Sequence, residues 1–294
     1  MPSFWDVLTC KTHSSGRGLR PGGALARDST PRCRASEEEP RYRLARVQYT
    51  IQADETDEPL TPLFTVPEFR QRLLRFDGAG DERRDDERDE VLYVLEGSAA
   101  ATVGGEPQEL AVGTGVFVAR GTPWRIESAD GLKLLSVLVE DPLPASAAQA
   151  VIGGGERDTA TAGREFTLLA HPENGCASVT QFVGYIPPGR APDHFHLYDE
   201  VVYVLAGEGA FHWLEASTAE PPTPGRKATP SSTAGDGESA PLRAGSCVHL
   251  PARLVHCLEN QGPGEMRVLG VFRPAGSPAE AYYPDGSAAA VPAV

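Results

Sequence analysis

The sequence predicts an all-β chain in which one sandwich- or barrel-forming unit occurs twice. Three observations carry that expectation. Beyond about residue 40 the chain is a series of short runs rich in Val, Leu, Tyr and Phe, cut by Gly, Pro, Asp and Asn, the pattern of a sandwich or barrel. Long helical periodicity is scarce. The third observation is an internal repeat, which decides the architecture before any single element does. "EVLYVLEG" (Glu90–Gly97) matches "EVVYVLAG" (Glu200–Gly207) at six of eight positions with an offset of 110. "LAVGTGVFVARG" from Leu110 tracks "LRAGSCVHLPAR" from Leu242 at 132, and "LKLLSVLV" from Leu132 tracks "MRVLGVFR" from Met266 at 134.

Taken in order, residues 1–40 hold Gly, Ser, Arg and Pro with almost no periodic apolar positions. That composition cannot offset the entropy of ordering, so a disordered tail is expected. The first β unit is expected over 41–148. Within it "VPEFRQRLLRF", Val66–Phe76, is the best helical candidate, but its apolar spacing is too short and mixed to choose helix over strand. "TVGGEPQEL" reads as a hairpin, with Gly104 and Gly105 supplying the positive φ of a tight turn. Residues 149–164 read as a linker; Gly153, Gly154 and Gly155 follow no strand and open no helix, which argues against a phosphate-cradling loop. The second β unit is expected over 165–288. The jump in offset from 110 to 132 places about 22 extra residues inside it. They are visible as the Pro/Ser/Thr/Gly-rich stretch 219–241, which reads as a surface loop.

At 294 residues the chain has room for two domains of ordinary size. A net charge of -14 and a pI near 5.0 argue against an electrostatic grip on nucleic acid or anionic lipid, both of which need a basic surface. A small-molecule substrate is the expected partner, with no nucleic acid, no membrane, and a homodimer as one option. Cys10, Cys33, Cys176, Cys247 and Cys257 form no CxxC pair and no even framework, so neither a zinc ribbon nor a disulfide scaffold is indicated. With no apolar run near the ~18 residues of a bilayer span and no secretory start, a cytoplasmic protein is expected.

Two of the seven histidines stand one residue apart in "PDHFHLYDEVVYVLAGEG". Side chains alternate along a strand, so His194, His196, Tyr198, Glu200, Val202 and Val204 share one face if the extended conformation persists. Two imidazoles and a carboxylate facing an apolar interior are costly without a partner, and a metal ion is the simplest one. His256, in "GSCVHLPARLVHCLEN", follows a proline-containing turn and can reach the same cavity from a neighbouring strand.

These residues carry a resemblance to the cupin superfamily. The first segment resembles the motif G-x5-H-x-H-x(3,4)-E-x6-G through Gly189, His194, His196, Glu200 and Gly207, with four residues rather than five before the first histidine. The second resembles G-x5-P-x-G-x2-H-x3-N through Gly245, Pro251, His256 and Asn260, with Arg253 at the second glycine position. The resemblance implies two tandem double-stranded β-helix (jelly-roll) barrels, a bicupin. It also implies one divalent metal ion held by His194, His196, Glu200 and His256. In the first half Arg84, Asp86, Glu90 and Trp124 align with these ligands, and neither Arg nor Trp offers a usable lone pair, so that barrel is expected to hold no metal.

The remaining signals read as structure. His212 and His249 are expected as core histidines, His171 as solvated, and His13 lies in the tail. Cys257 next to His256 points to the opposite face and is expected as a buried thiol. The mixed charges of "RDDERDE" suit a solvated lead-in to a strand. Tyr185, Tyr198, Phe211 and Trp213 are candidates for the cavity wall or for core.

Three imidazoles and a carboxylate suit Fe(II), the first expectation, and equally Mn, Ni, Co or Zn. The resemblance implies a dioxygenase-type oxidoreductase acting on a small enolic, phenolic or thiol compound. The alternatives are a redox-silent isomerase, hydrolase or decarboxylase and a barrel that binds a small ligand without turnover. In the enzymatic readings Glu200 can double as a base.

Overall fold

The computed structural model describes residues 48–53, 57–214 and 237–289. The tail expected over 1–40 and the 219–241 insertion up to residue 236 lie outside the described residues. In chain order the strands are β1 (Thr50–Gln52), β2 (Leu60–Thr65), β3 (Phe69–Phe76), β4 (Asp89–Val103), β5 (Glu106–Ala111), β6 (Gly115–Val118), β7 (Trp124–Val139), β8 (Gln149–Ile152) and β9 (Asp158–Thr159). They continue as β10 (Glu165–Leu168), β11 (Thr180–Ile186), β12 (Gly189–Arg190), β13 (Asp199–Ala206), β14 (Glu208–Trp213), β15 (Glu238–Arg243), β16 (Ser246–Leu250), β17 (His256–Asn260) and β18 (Met266–Arg273). Among the described residues the only helical segments are two three-residue 3-10 turns. The all-β expectation and the two jelly-roll barrels are both present.

The first barrel is a single sheet in the order β2-β3-β7-β4-β6-β8, with β5 on β4. Its long strands β4 and β7 bend to serve both layers. In the second barrel the chain breaks at the equivalent places, giving one sheet β1-β16-β13-β18-β11-β10-β9 and another β12-β17-β14-β15. The undecided segment Val66–Phe76 becomes strand β3, because both its faces are covered: Phe69 and Leu73 look toward the second barrel and Leu74 into the first. The Gly104–Gly105 hairpin forms as expected, at φ 59° and 85°, between β4 and β5.

The edges differ from the expected boundaries. β1 precedes the first barrel in sequence but pairs with β16 of the second, Ile51 opposite Cys247. β8, the start of the expected linker, precedes the second barrel but pairs with β6 of the first, Val151 opposite Val116. Each barrel's leading strand thus caps the other barrel's exposed edge, which an open β edge requires. Residues 149–152 are therefore strand, not linker. Glu238–Pro241, the end of the expected loop, belong to edge strand β15, where Pro241 is tolerated.

The barrels pack through faces that the repeat makes equivalent. Val91, Tyr93, Leu135 and Val137 of the first meet Val201, Tyr203, Leu269 and Val271 of the second in one buried cluster. The alternate residues of the same strands, Leu92 and Val94 or Val202 and Val204, fill the barrel interiors. Strands covered on both sides read as continuous apolar runs, which is why "VLYVL" and "VVYVL" show no alternation. Each fully buried Val or Leu contributes about 1.5–3 kcal/mol. The seam therefore outweighs the Arg273–Glu68 ion pair that crosses it at 2.9 Å, a partly exposed pair of the ~0–1 kcal/mol class.

Candidate metal centre in the second barrel

The histidine loop is docked by backbone bonds. His194 and His256 form a reciprocal antiparallel bridge, N–H to O=C at 2.9 and 2.8 Å, and the Arg253 N–H donates to the His196 carbonyl at 2.8 Å. Strand β13 begins only at Asp199, so His194 and His196 stand on an extended loop rather than on the strand itself. Alternation nevertheless holds: Phe195 points away and stacks on Tyr282 at 5.6 Å, while His194 and His196 point inward. The ring centroids of His194, His196 and His256 form a near-equilateral triangle of 4.8 to 5.1 Å.

Each ring is oriented by a carbonyl. His194 Nδ1 lies 2.9 Å from the Pro192 oxygen, His196 Nδ1 3.1 Å from Glu280 and His256 Nδ1 2.8 Å from Leu254. A carbonyl only accepts, so each Nδ1 carries the proton and each Nε2 keeps its lone pair. One ring nitrogen of each histidine lies within 4.8 Å of those of the other two. Burial holds all three imidazoles neutral, His194 down to about 4, His196 to about 3 and His256 well below its usual value. Three fixed lone pairs converging without a donor between them is the donor set of a transition-metal site with its orienting carbonyls in place.

Glu200 completes the charge side of the cavity. It is buried, and burial lifts its carboxyl to about 8 against the opposing pull of Arg164. It stands in the same cavity as the triad but outside the 4.8 Å cluster, and no hydrogen bond reaches it from the described residues.

The first barrel shows what such a carboxylate requires. Glu90, its repeat equivalent, takes Arg72 Nη2 at 2.9 Å, Trp124 Nε1 at 3.1 Å and the Ser136 hydroxyl. Strand register makes Phe182, His256 and Gly270 the counterparts of Arg72, Trp124 and Ser136. Every donor around Glu90 is thus replaced around Glu200 by a group that donates nothing. A Cβ at Gly270 would lie 2.6 Å from Glu200 Oε1, so the glycine also makes room for the carboxylate. The residues present therefore fit a cation supplied from outside the chain.

Register also corrects the alignment in the first barrel. The bridge equivalent to His194–His256 is Arg83–Trp124, and the Gly121 N–H donates to the Asp85 carbonyl as that of Arg253 does to His196. Arg83 and Asp85, not Arg84 and Asp86, occupy the histidine positions, because the first barrel has one more residue before its glutamate. Arg83 lies over the Phe76 and Trp124 rings, while Arg84 and Asp86 pair with each other at the surface.

The cavity is small, about 70 Å³. Tyr198 lines it, stacked on Phe272 at 4.0 Å with its ring 4.6 Å from His196. Tyr185 borders it, but its ring packs with the inter-barrel cluster and carries the Arg157 guanidinium at 3.6 Å. Phe211 and Trp213 stack on each other behind His256 and fill the barrel. Asn260 ties β17 to the Ile186 and Gly264 carbonyls. His249 pairs with Asp199 and His212 with Glu259, both away from the cavity. Cys257 is fully buried and accepts from Arg190 Nε at 3.2 Å.

One cavity residue escapes the motifs. Arg164, in the stretch read as linker, lines the site and donates to the Leu258 carbonyl at 2.7 Å. No carboxylate pairs with it among the described residues, and burial lowers its pKa. A single arginine heading an apolar strand gives no signal in the sequence.

Residues 77–138 match the family model of the cupin domain. No curated protein sequence matches the chain. Among solved structures, a mutant of Bacillus subtilis oxalate decarboxylase aligns at 14% identity with a TM-score of 0.58 over 78% of each chain. A putative glyoxylate-induced protein from Pseudomonas aeruginosa aligns at 14% and 0.55 over 72% of this chain and 79% of that one. A cupin 2 conserved barrel domain protein from Leptotrichia buccalis aligns at 14% and 0.51 over 78% and 98%. Among the described residues no helix is long and apolar enough to cross a membrane. The matched segment lies in the first barrel, and the duplicated strand order gives the chain the fold of these cupin structures, with two barrels in one chain.

Proposed function

We propose that the second barrel is a divalent-metal centre with His194, His196, His256 and Glu200 as ligands, acting on a small organic acid whose carboxylate is held by Arg164. The observation that carries this reading is the pairing of three donorless imidazole lone pairs with a buried carboxylate stripped of every protein donor. Arg164 adds the substrate class. A buried guanidinium with one carbonyl partner has four N–H groups to spare, and a carboxylate matches its fork.

A bound ion would supply Lewis-acid polarisation of a substrate oxygen, or redox chemistry if it is Fe(II) or Mn(II). The chain's own part is to fix the acid by Arg164, to exclude water with Tyr198, Phe182 and Leu258, and, with the Glu200 carboxylate released from the ion, to carry a proton on Glu200. In decarboxylation the bond to the carboxylate carbon breaks, CO2 leaves, and the carbon left with the electron pair takes that proton. The small cavity favours this lyase-type reaction of a short acid over the dioxygenase-type oxidation of an enolic or phenolic compound. A kinship of fold with oxalate decarboxylase, for which Mn(II) centres are described, points the same way.

Metal analysis of untagged protein, followed by CO2 release and O2 uptake with short mono- and dicarboxylic acids, tests the reading. Expected are about one ion per chain and turnover of an acid that Arg164→Gln reduces at least 100-fold, chiefly through KM, with metal content unchanged. A metal-free protein, or oxidation of neutral phenols untouched by Arg164→Gln, would overturn it.

A further inference from the structure

Beside the inter-barrel seam the two surfaces part around a second cavity, about 620 Å³. It shares no lining residue with the histidine cavity. On β13 the two face opposite ways, Glu200 and Val202 into the barrel, Tyr203 and Leu205 into the seam.

Its walls are written twice. Tyr93 and Tyr203 hold the same repeat position, as do Lys133 and Arg267, and Leu95 and Leu205. Both phenol rings are more than nine-tenths buried, 7% and 6% exposed. Neither hydroxyl makes a hydrogen bond with the described residues, although each opens on the cavity. Burial raises both phenols, Tyr203 to about 12, so both are O–H donors at neutral pH. Two phenol donors at symmetric positions, both facing one cavity, can share one acceptor.

Charge says what the acceptor is. Lys133, Arg243 and Arg267 line the cavity, and its one carboxylate, Glu96, is already engaged by Lys133 at 2.8 Å. Arg243 and Arg267 have no carboxylate partner among the described residues. Arg75 stands opposite Lys133 across β3 and β7, its Nε buried and unpartnered. Such a concentration of donors, in a chain of net charge -14, selects an anion. Leu73 and Leu205 offer apolar wall for a carbon skeleton.

We propose that this inter-barrel cavity binds a multiply charged organic anion, with its charge against Lys133, Arg267 and Arg243 and its oxygens on the Tyr93 and Tyr203 hydroxyls. The site is independent of the metal reading. Phosphate monoesters and dicarboxylates share this chemistry, and the probes separate them: glycerol 3-phosphate and succinate, titrated calorimetrically into the full chain at low salt, with sodium chloride as control. At least one probe binds one per chain with Kd below about 1 mM, weakening as salt rises. Arg267→Gln and the double variant Tyr93→Phe/Tyr203→Phe each weaken binding about tenfold. The double variant keeps the wild-type melting temperature or raises it, since it removes only unpaired hydroxyls. Arg164→Gln leaves Kd unchanged. Absence of binding by both probes, wild-type affinity in the cleft variants, or loss of binding in Arg164→Gln would each refute the site.

Discussion

Arg253 occupies the place where the second motif has glycine, and the backbone there is left-handed, at φ 68°. Its repeat counterpart Gly121 kept the glycine, at φ 78°. Both residues make the same turn and the same bond, to the carbonyls of His196 and Asp85. A side-chain-bearing residue in this region costs about 1–2 kcal/mol. Glycine gives back about 0.5–1 kcal/mol through the freedom of its unfolded chain. Arg253→Gly should therefore stabilise the protein by roughly 0.5–1 kcal/mol, a rise in melting temperature of about 2 °C for a chain of this size. Gly121→Ala should do the reverse by a similar amount. A Cβ at Gly121 would come no nearer than 3.7 Å to Asp86 Oδ1, so that cost is purely conformational. The Arg253 side chain is exposed and the N–H bond survives, so metal content of Arg253→Gly should equal wild type. Urea unfolding of both variants with metal analysis decides the matter. Destabilisation by Arg253→Gly, or loss of metal, would show that the arginine side chain holds the loop and that the strain reasoning is wrong.

Other consequences follow from the same geometry. His256→Ala should weaken metal binding more than about 100-fold, exceeding the effect typical of residues that only orient ligands. His249→Ala, which breaks a contact with Asp199 outside the cavity, should leave metal content unchanged; equal losses in the two variants would sink the ligand assignment. Glu140 receives Arg88 and Arg70 at 2.8 and 2.5 Å. Burial alone would raise its pKa, but those hydrogen bonds outweigh it and hold the carboxyl below the usual glutamate value. A depressed carboxyl binds fewer protons folded than unfolded, so its stabilisation is present above that value and lost as pH falls through the folded one. Glu140→Gln should then lower the urea midpoint at pH 7 by an amount worth about 1 kcal/mol, and the gap to wild type should close in acid. A gap independent of pH would mean the carboxylate charge is not what Arg88 and Arg70 recognise.

What the sequence disclosed is what alternation and spacing encode. The duplicated runs gave two barrels, and the HxHx3E and His256 segments converge because a strand and the loop leading into it keep side-chain parity. The same parity, applied to β11, sets Tyr185 beside Val183 on the seam side, at the border of the cavity. The strand exchange was out of reach: three-residue β1 and four-residue β8 carry no signal of their own, and Ile51 finds its partner nearly two hundred residues away at Cys247. Segment Val66–Phe76 was ambiguous because a strand buried on both faces loses its period of two. The shift from Arg84 to Arg83 came from one extra residue ahead of Glu90, which an ungapped comparison cannot detect. Arg164 belongs to no motif; only the folded cavity shows that its charge is unmatched.

The two barrels solve one electrostatic problem in two ways. Each buries a glutamate at the head of its central strand, and a carboxylate taken out of water must find positive charge or donors, or else hold a proton. The first barrel keeps the solution within the chain: Arg72 lies against Glu90 with Trp124 and Ser136 beside it. Such a pair is complete at the moment of folding and needs no ion. In the second, exchanging only Arg72's counterpart for Phe182 would leave Glu200 stranded, and exchanging only Trp124's counterpart for His256 would place a lone pair beside a carboxylate. Both changes make sense together, with Gly270 opening the space, once a cation comes from outside. On the proposed metal reading, the folding of the first barrel is insensitive to metal supply, whereas that of the second is completed by binding.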